Sequence, residues 1–146
     1  KPVMNIGINR KEKGYAVNNA VISEKGILGR ITSLGLYQAE VLLVEDPRSL
    51  IAVTSSSSRL HAILQGSGLG RLGNLKNIKK TANFEIGEKL YSSGLGGIFP
   101  SGYPIAKIES IVDSPDNEFL NVKVSFLQSP LNQDHFLVLR NFGSDE

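Results

Sequence analysis

An all-β protein is the fold class this sequence predicts, and three observations carry the prediction. Apolar residues fall in short runs, several of them alternating at period two, as Phe119 to Phe126 does. Turn chemistry closes each run: Glu24-Lys25-Gly26, Glu45-Asp46-Pro47-Arg48-Ser49 and Asp113-Ser114-Pro115-Asp116-Asn117. The stretch Tyr91 to Pro104 packs Gly94, Gly96, Gly97, Pro100, Gly102 and Pro104 between two strand-like runs, so it reads as a shaped loop that holds one conformation. No helix longer than a turn or two is expected.

Composition removes several function classes. At 146 residues, with 40% hydrophobic and 21% charged residues, the chain is long enough to bury a core and too apolar to be disordered. A net charge of +2 is too small for a nucleic-acid footprint. The absence of cysteine excludes a disulfide framework and a thiolate metal site. No apolar run approaches the roughly 20 residues of a membrane-spanning helix. The chain begins without an initiator Met and is expected to be part of something longer.

Taken in order, Val3, Ile6 and Ile8 mark a first strand, followed by a basic turn with Arg10, Lys11 and Lys13. Ala20 to Ser23 and Ile27 to Leu34 form a hairpin about Glu24-Lys25-Gly26, with Gly29 marking a bulge or bend. Ala39 to Val44 is another strand. Ile51 to Thr54 and His61 to Leu64 flank four serines, Ser55 to Ser58, read as a turn rather than a linker. Gly66 to Lys80 lacks the Gly-Lys-Ser/Thr ending of a phosphate-binding loop, and reads as a weak strand plus a connection between two halves.

The second half repeats the first. Leu90-Tyr91-Ser92 matches Val21-Ile22-Ser23 at an offset of 69, and Lys107 to Ile111 matches Arg30 to Leu34 at an offset of 77. The second copy therefore carries the same hairpin enlarged by eight residues. Phe119 to Phe126 and His135 to Leu139 supply the remaining strands. Two small antiparallel β-barrels or sandwiches packed side by side follow, at residues 1–78 and 79–146, joined near 75–82, with the enlarged hairpin at 92–104.

Ala20-Val21-Ile22, Gly26 to Ile31, Val41-Leu42-Leu43, Asp46-Pro47 and the string Gly87 with Leu90 to Ile108 resemble the extracytoplasmic core domain of the rod shape-determining protein MreC family. The similarity covers nearly the whole chain. Ser101 and Ala106 depart from the proline and glycine expected of the family, and Ala106 implies less φ freedom. The resemblance implies two six-stranded antiparallel β-barrels, the second of chymotrypsin-like architecture without a catalytic triad. It also implies a non-catalytic periplasmic scaffold, tethered to the inner membrane by an N-terminal helix not present in this chain. Such scaffolds form homo-oligomers and bind the elongation transpeptidase, a class B penicillin-binding protein, and other membrane proteins of the rod complex. No cofactor or metal is implied.

The residues agree with that reading. A Ser-His-Asp triad would have to use His61 with Asp113 or Asp116 and Ser125 or Ser129, and neither serine sits in a glycine-flanked turn; His135 comes too late in the chain. Two isolated histidines make no metal site. A stand-alone carbohydrate or peptidoglycan binder is the alternative, using aromatic platforms such as Tyr91, Phe99, Tyr103 and Phe119, although aromatics are only 7% of the chain and Trp is missing. Within the scaffold reading, Phe99, Tyr103, Phe119, Ile98 and Tyr91 are the expected partner-binding residues, because a loop need not carry such apolar area for its own sake. The competing structural role, with Ile98 and Phe99 capping the second core, stays open at this point.

Overall fold

Period-two alternation puts Leu120, Val122 and Val124 on one side of a strand and Asn121 and Lys123 on the other, and burial follows that division. The same logic organises the chain, which in the computed structural model is described over residues 3–8, 14–128 and 136–139. Among the described residues, eleven strands run in order: β1 (Val3–Gly7), β2 (Ala20–Ser23), β3 (Gly26–Leu34), β4 (Gln38–Leu43), β5 (Leu50–Thr54), β6 (His61–Gln65), β7 (Gly73–Lys79), β8 (Lys89–Ser92), β9 (Pro104–Val112), β10 (Phe119–Phe126) and β11 (Leu137–Leu139). No helix occurs among the described residues. The basic turn, Ser129 and His135 lie outside them.

The strands build two units. One is a closed six-stranded barrel in the order β10-β7-β6-β5-β8-β9, and the other is a five-stranded sheet in the order β1-β4-β3-β2-β11. All pairings are antiparallel. Closure gives every barrel strand two neighbours and leaves no edge.

Two expectations are corrected here. Among the described residues the first unit does not close as a six-stranded barrel: it has five strands and two edges, β1 and β11. Nor does the chain divide between residues 78 and 79. Strands β5, β6 and β7 join the barrel, while β11 returns to pair with β2, matching Leu139 to Ala20. The crossing lies at Glu45 to Ser49. There Asp46 accepts from the Arg48 backbone N–H at 2.7 Å and from its Nη2 at 2.7 Å, and Ser49 N–H bonds the Asp46 carbonyl at 2.9 Å. The chain was cut by its repeat, whereas sheet membership is set by which strand edges meet.

Gly29 behaves as expected. Val21 faces Gly29 and Ile22 faces Ile27, so Leu28 is an extra residue bulged out of the pairing. A Cβ on Gly29 would lie 2.3 Å from the Leu42 carbonyl oxygen.

One hydrophobic core spans both units. Leu64, Leu90, Ile105, Ile108, Val122 and Val124 fill the barrel, and Ala20 and Ile27 of the first sheet, with Val44 just after β4, pack into the same cluster. Burying each large side chain stabilises by roughly 1.5–3 kcal/mol. A second, smaller cluster of Val21, Ile31, Ala39, Val41 and Leu43 lies within the sheet. At the seam Gly26 takes φ +138°, and a Cβ there would sit 1.9 Å from the Pro104 carbonyl oxygen, so only glycine lets the two backbones meet. Buried Gln128 completes the seam: its Nε2 donates to the Gly26 carbonyl and its Oε1 accepts from Ser23 Oγ.

Candidate partner-binding site

The loop between β8 and β9 is organised by one hydroxyl. Ser92 is 1% exposed; its Oγ donates to the Pro100 carbonyl at 2.5 Å and accepts from the Tyr103 N–H at 3.0 Å. Its backbone N–H and C=O bond the Tyr103 carbonyl and the Gly102 N–H, at 2.8 and 2.7 Å. Ser93 N–H then reaches the Ala52 carbonyl of β5 at 3.0 Å. Gly94 has φ +81° and would carry a Cβ 3.0 Å from Ser101 Cβ, which closes the loop on itself. The expected shaped loop is therefore a fastened one.

Phe99 does not face outward. It is 8% exposed and belongs to the shared core, so it takes the capping role. Beside it a cleft of about 370 Å³ separates the loop from residues 16–20 and Leu139 of the first unit. The loop presents Leu95 and Ile98 instead, 69% and 39% exposed. Leu95 went unnoticed in the sequence, although glycines on both sides were a readable sign that nothing covers it.

Tyr103 is half-buried and lines a groove of about 610 Å³ with Ile22, Glu24, Gly26, Pro104 and Phe136. Tyr91 is half-buried between buried Leu90 and Ser92, so alternation sets it on the barrel's outer face; it borders a separate hollow with Ser56, Ser57 and Glu88. Phe119 is not a neighbour of the loop. It pairs with Lys79 at one end of β10, whereas Phe126 at the other end pairs with Ala106. Seven residues of strand separate the two ends, roughly 23 Å at about 3.3 Å per residue. The structure thus brings Ile98, Phe99 and Tyr103 to one region with Tyr91 at its margin, and sets Phe119 apart.

Beneath Tyr91, Glu88 ties the serine turn to the barrel. Burial pushes its carboxyl up, but Ser55 Oγ at 2.5 Å, Ser58 Oγ at 2.8 Å and the Glu85 N–H at 2.8 Å outweigh that and hold it below its ordinary value. The role is structural, and it explains why four serines form a turn.

Among the described triad candidates, Ser125 and Asp113 lie apart. Ser125 pairs with Lys107 and donates to Glu109 at 3.0 Å, while Asp113 follows the Val112–Asn121 pair and binds Lys80 at 3.0 Å. That puts Ser125 about five residues, roughly 16 Å, along the hairpin from the aspartate. Among the described residues no group of three His, Asp or Glu side chains is placed to hold a metal ion.

Comparison with known proteins follows from this geometry. A family model, described as "Rod shape-determining protein MreC, barrel core", matches residues 5–140. A curated relative, the cell shape-determining protein MreC of Haemophilus influenzae, is 36% identical over 113 residues, 77% of this chain. The chain spans 32% of that relative's length. The crystal structure of MreC from Pseudomonas aeruginosa has a TM-score of 0.85 at 28% identity, covering 94% of this chain and 88% of that one. A complex between penicillin-binding protein PBP2 and MreC from Helicobacter pylori is similar at a TM-score of 0.71 and 17% identity, covering 96% and 88%, a likeness of fold. With a closed barrel beside a five-stranded sheet and a family match across nearly all its length, this chain belongs to the family of the rod shape-determining protein MreC.

Proposed function

We propose that this domain is a non-catalytic scaffold of the cell-elongation machinery, acting in the periplasm and docking a class B penicillin-binding protein on the surface around the β8–β9 loop. The observation that carries this reading is the fastened loop. Ser92 and the glycine turns fix its shape before any partner arrives, and Leu95, Ile98 and Tyr103 offer apolar surface beside the 610 Å³ groove. Preorganisation of this kind reduces the ordering cost of association. The solved complex of the H. pylori protein with PBP2 supports the choice of partner class. Separation of the triad candidates supports a role without catalysis. Tethering to the inner membrane by a preceding helix, self-association, and contact with other membrane proteins of the rod complex belong to the same proposal.

Binding of the purified domain to the periplasmic part of a class B penicillin-binding protein tests it. Ile98→Ala and Tyr103→Ala should each weaken binding by at least about 1 kcal/mol, with little loss of stability for the exposed Ile98. Phe119→Ala, at the far end of the barrel, should bind as the unsubstituted chain does. Equal weakening by Phe119→Ala, or none by the loop variants, would move the interface elsewhere.

A further inference from the structure

The five-stranded sheet curls until its two edges line one gap. Asn5, Ile6 and Gly7 of β1 and Phe136, Leu137 and Val138 at β11 border the same cavity of about 420 Å³. Strand direction alternates across the four antiparallel pairings from β1 to β11, so the first and fifth strands run parallel to each other. They cannot join each other and keep the alternation. One strand running opposite to both would complete a six-stranded antiparallel order like that of the neighbouring barrel.

The backbone of β1 is set for such a strand. Ile8 N–H bonds the Tyr37 carbonyl at 3.0 Å on the β4 side, so alternation turns the peptide groups of Asn5 and Gly7 toward the gap. Side chains set the rest of the requirement. Met4, Ile6, Phe136 and Val138 are partly buried against the sheet's own cluster and flank the gap from both sides. An entering strand would place every second side chain among them and the others in solvent. None of the stretches outside the described residues has that pattern: residues 1–2 read KP, 9–13 NRKEK, 129–135 SPLNQDH and 140–146 RNFGSDE.

We infer that the gap between β1 and β11 is a strand-accepting site, filled by an extended segment of a partner protein with alternating apolar and polar residues, antiparallel to both edges. Main-chain hydrogen bonds on two sides supply affinity, and the alternate apolar positions supply selectivity. The site shares Phe136 and Leu137 with the groove beside Tyr103, but its β1 side is separate from the β8–β9 loop, and it stands whether or not that loop binds a transpeptidase.

Amide hydrogen exchange read residue by residue tests it, with the probe peptide Lys-Thr-Val-Thr-Val-Thr-Val-Lys titrated into the 146-residue chain. At saturation the Asn5 and Gly7 amides should slow by about tenfold or more, while Leu64 in the closed barrel is unchanged. Asn5→Pro removes one gap-facing donor and keeps the β4 ladder, as an edge strand tolerates. It should weaken the probe about tenfold with the unfolding midpoint unchanged. No protection up to about 1 mM probe would overturn the inference. So would Asn5 and Gly7 amides that are protected without probe and released when the chain is cut after Leu139, which would assign the gap to the chain's own tail. Protection that rises with protein concentration alone would assign it to a second copy and equally overturn the partner strand.

Discussion

Phe99→Ala separates the two roles open to the loop's one phenylalanine. The ring is 8% exposed and packs in the cluster that joins barrel and sheet. Removing a buried phenyl group costs about 3–5 kcal/mol, depending on how far the surroundings collapse into the hole. Here the ring borders a cleft of about 370 Å³ that admits solvent, so water reaches part of the vacated space and the lower end applies, about 3 kcal/mol. For a domain near this size each kcal/mol moves the midpoint by about 2–4 °C, giving a fall of roughly 6–12 °C. Thermal unfolding followed by far-UV circular dichroism, with urea unfolding to check that the m-value holds, measures it. Ile98→Ala, at 39% exposure, should move the midpoint by less than about 2 °C. A Phe99→Ala midpoint within about 2 °C of the unsubstituted chain would refute the capping role.

Two further substitutions probe the seam and the serine turn. Gly26→Ala forces a side chain into φ +138° and its Cβ to 1.9 Å from the Pro104 oxygen, a backbone atom that cannot swing away. Strain and overpacking together should cost about 3 kcal/mol or more, and an unchanged unfolding midpoint would deny the close approach. Glu88 titrates below its ordinary value in the folded protein. Its stabilisation is therefore full above the unfolded carboxylate value, about pH 4.3, and is lost as pH falls through the lower folded value. Glu88→Gln should be about 1–2 kcal/mol less stable at pH 7, with the gap closing toward pH 3 in urea titrations. A gap independent of pH would mean that the charge plays no part.

Period two and turn residues made the strands legible, and the hairpin at Glu24-Lys25 formed where the turn chemistry put it. Strand β7 was harder to see. Asn77 takes φ +59° and a bulge there sets residues 76 and 77 against Asn121 alone, so Gly73, Leu75 and Ile78 face inward without a regular period. The division into units was illegible for a different reason. A repeat shows which segments are alike, and says nothing of which edges pair, so β5 to β7 were assigned to the wrong sheet. At the candidate site the loop's rigidity could be read from its glycines and prolines. The direction of Phe99 could not, because it depends on the Ser92 bonds that fold residues 100–103 back. Gln128, buried at the seam, carried no sequence signal at all.

The pairing of β11 with β2 makes the barrel a continuous insert within a sheet assembled from both ends of the chain. Every barrel strand has been synthesised once Phe126 is made, so the barrel's pairings need nothing later. The sheet must wait for Leu139 before β2 gains its second neighbour, and closing that contact spans nearly the whole chain. Long-range closures of this kind form slowly. Until residues 137–139 arrive, Ala20 to Ser23 stand as an uncovered edge beside the barrel, and the order of synthesis, more than the final energy, decides how long that edge is offered to other chains.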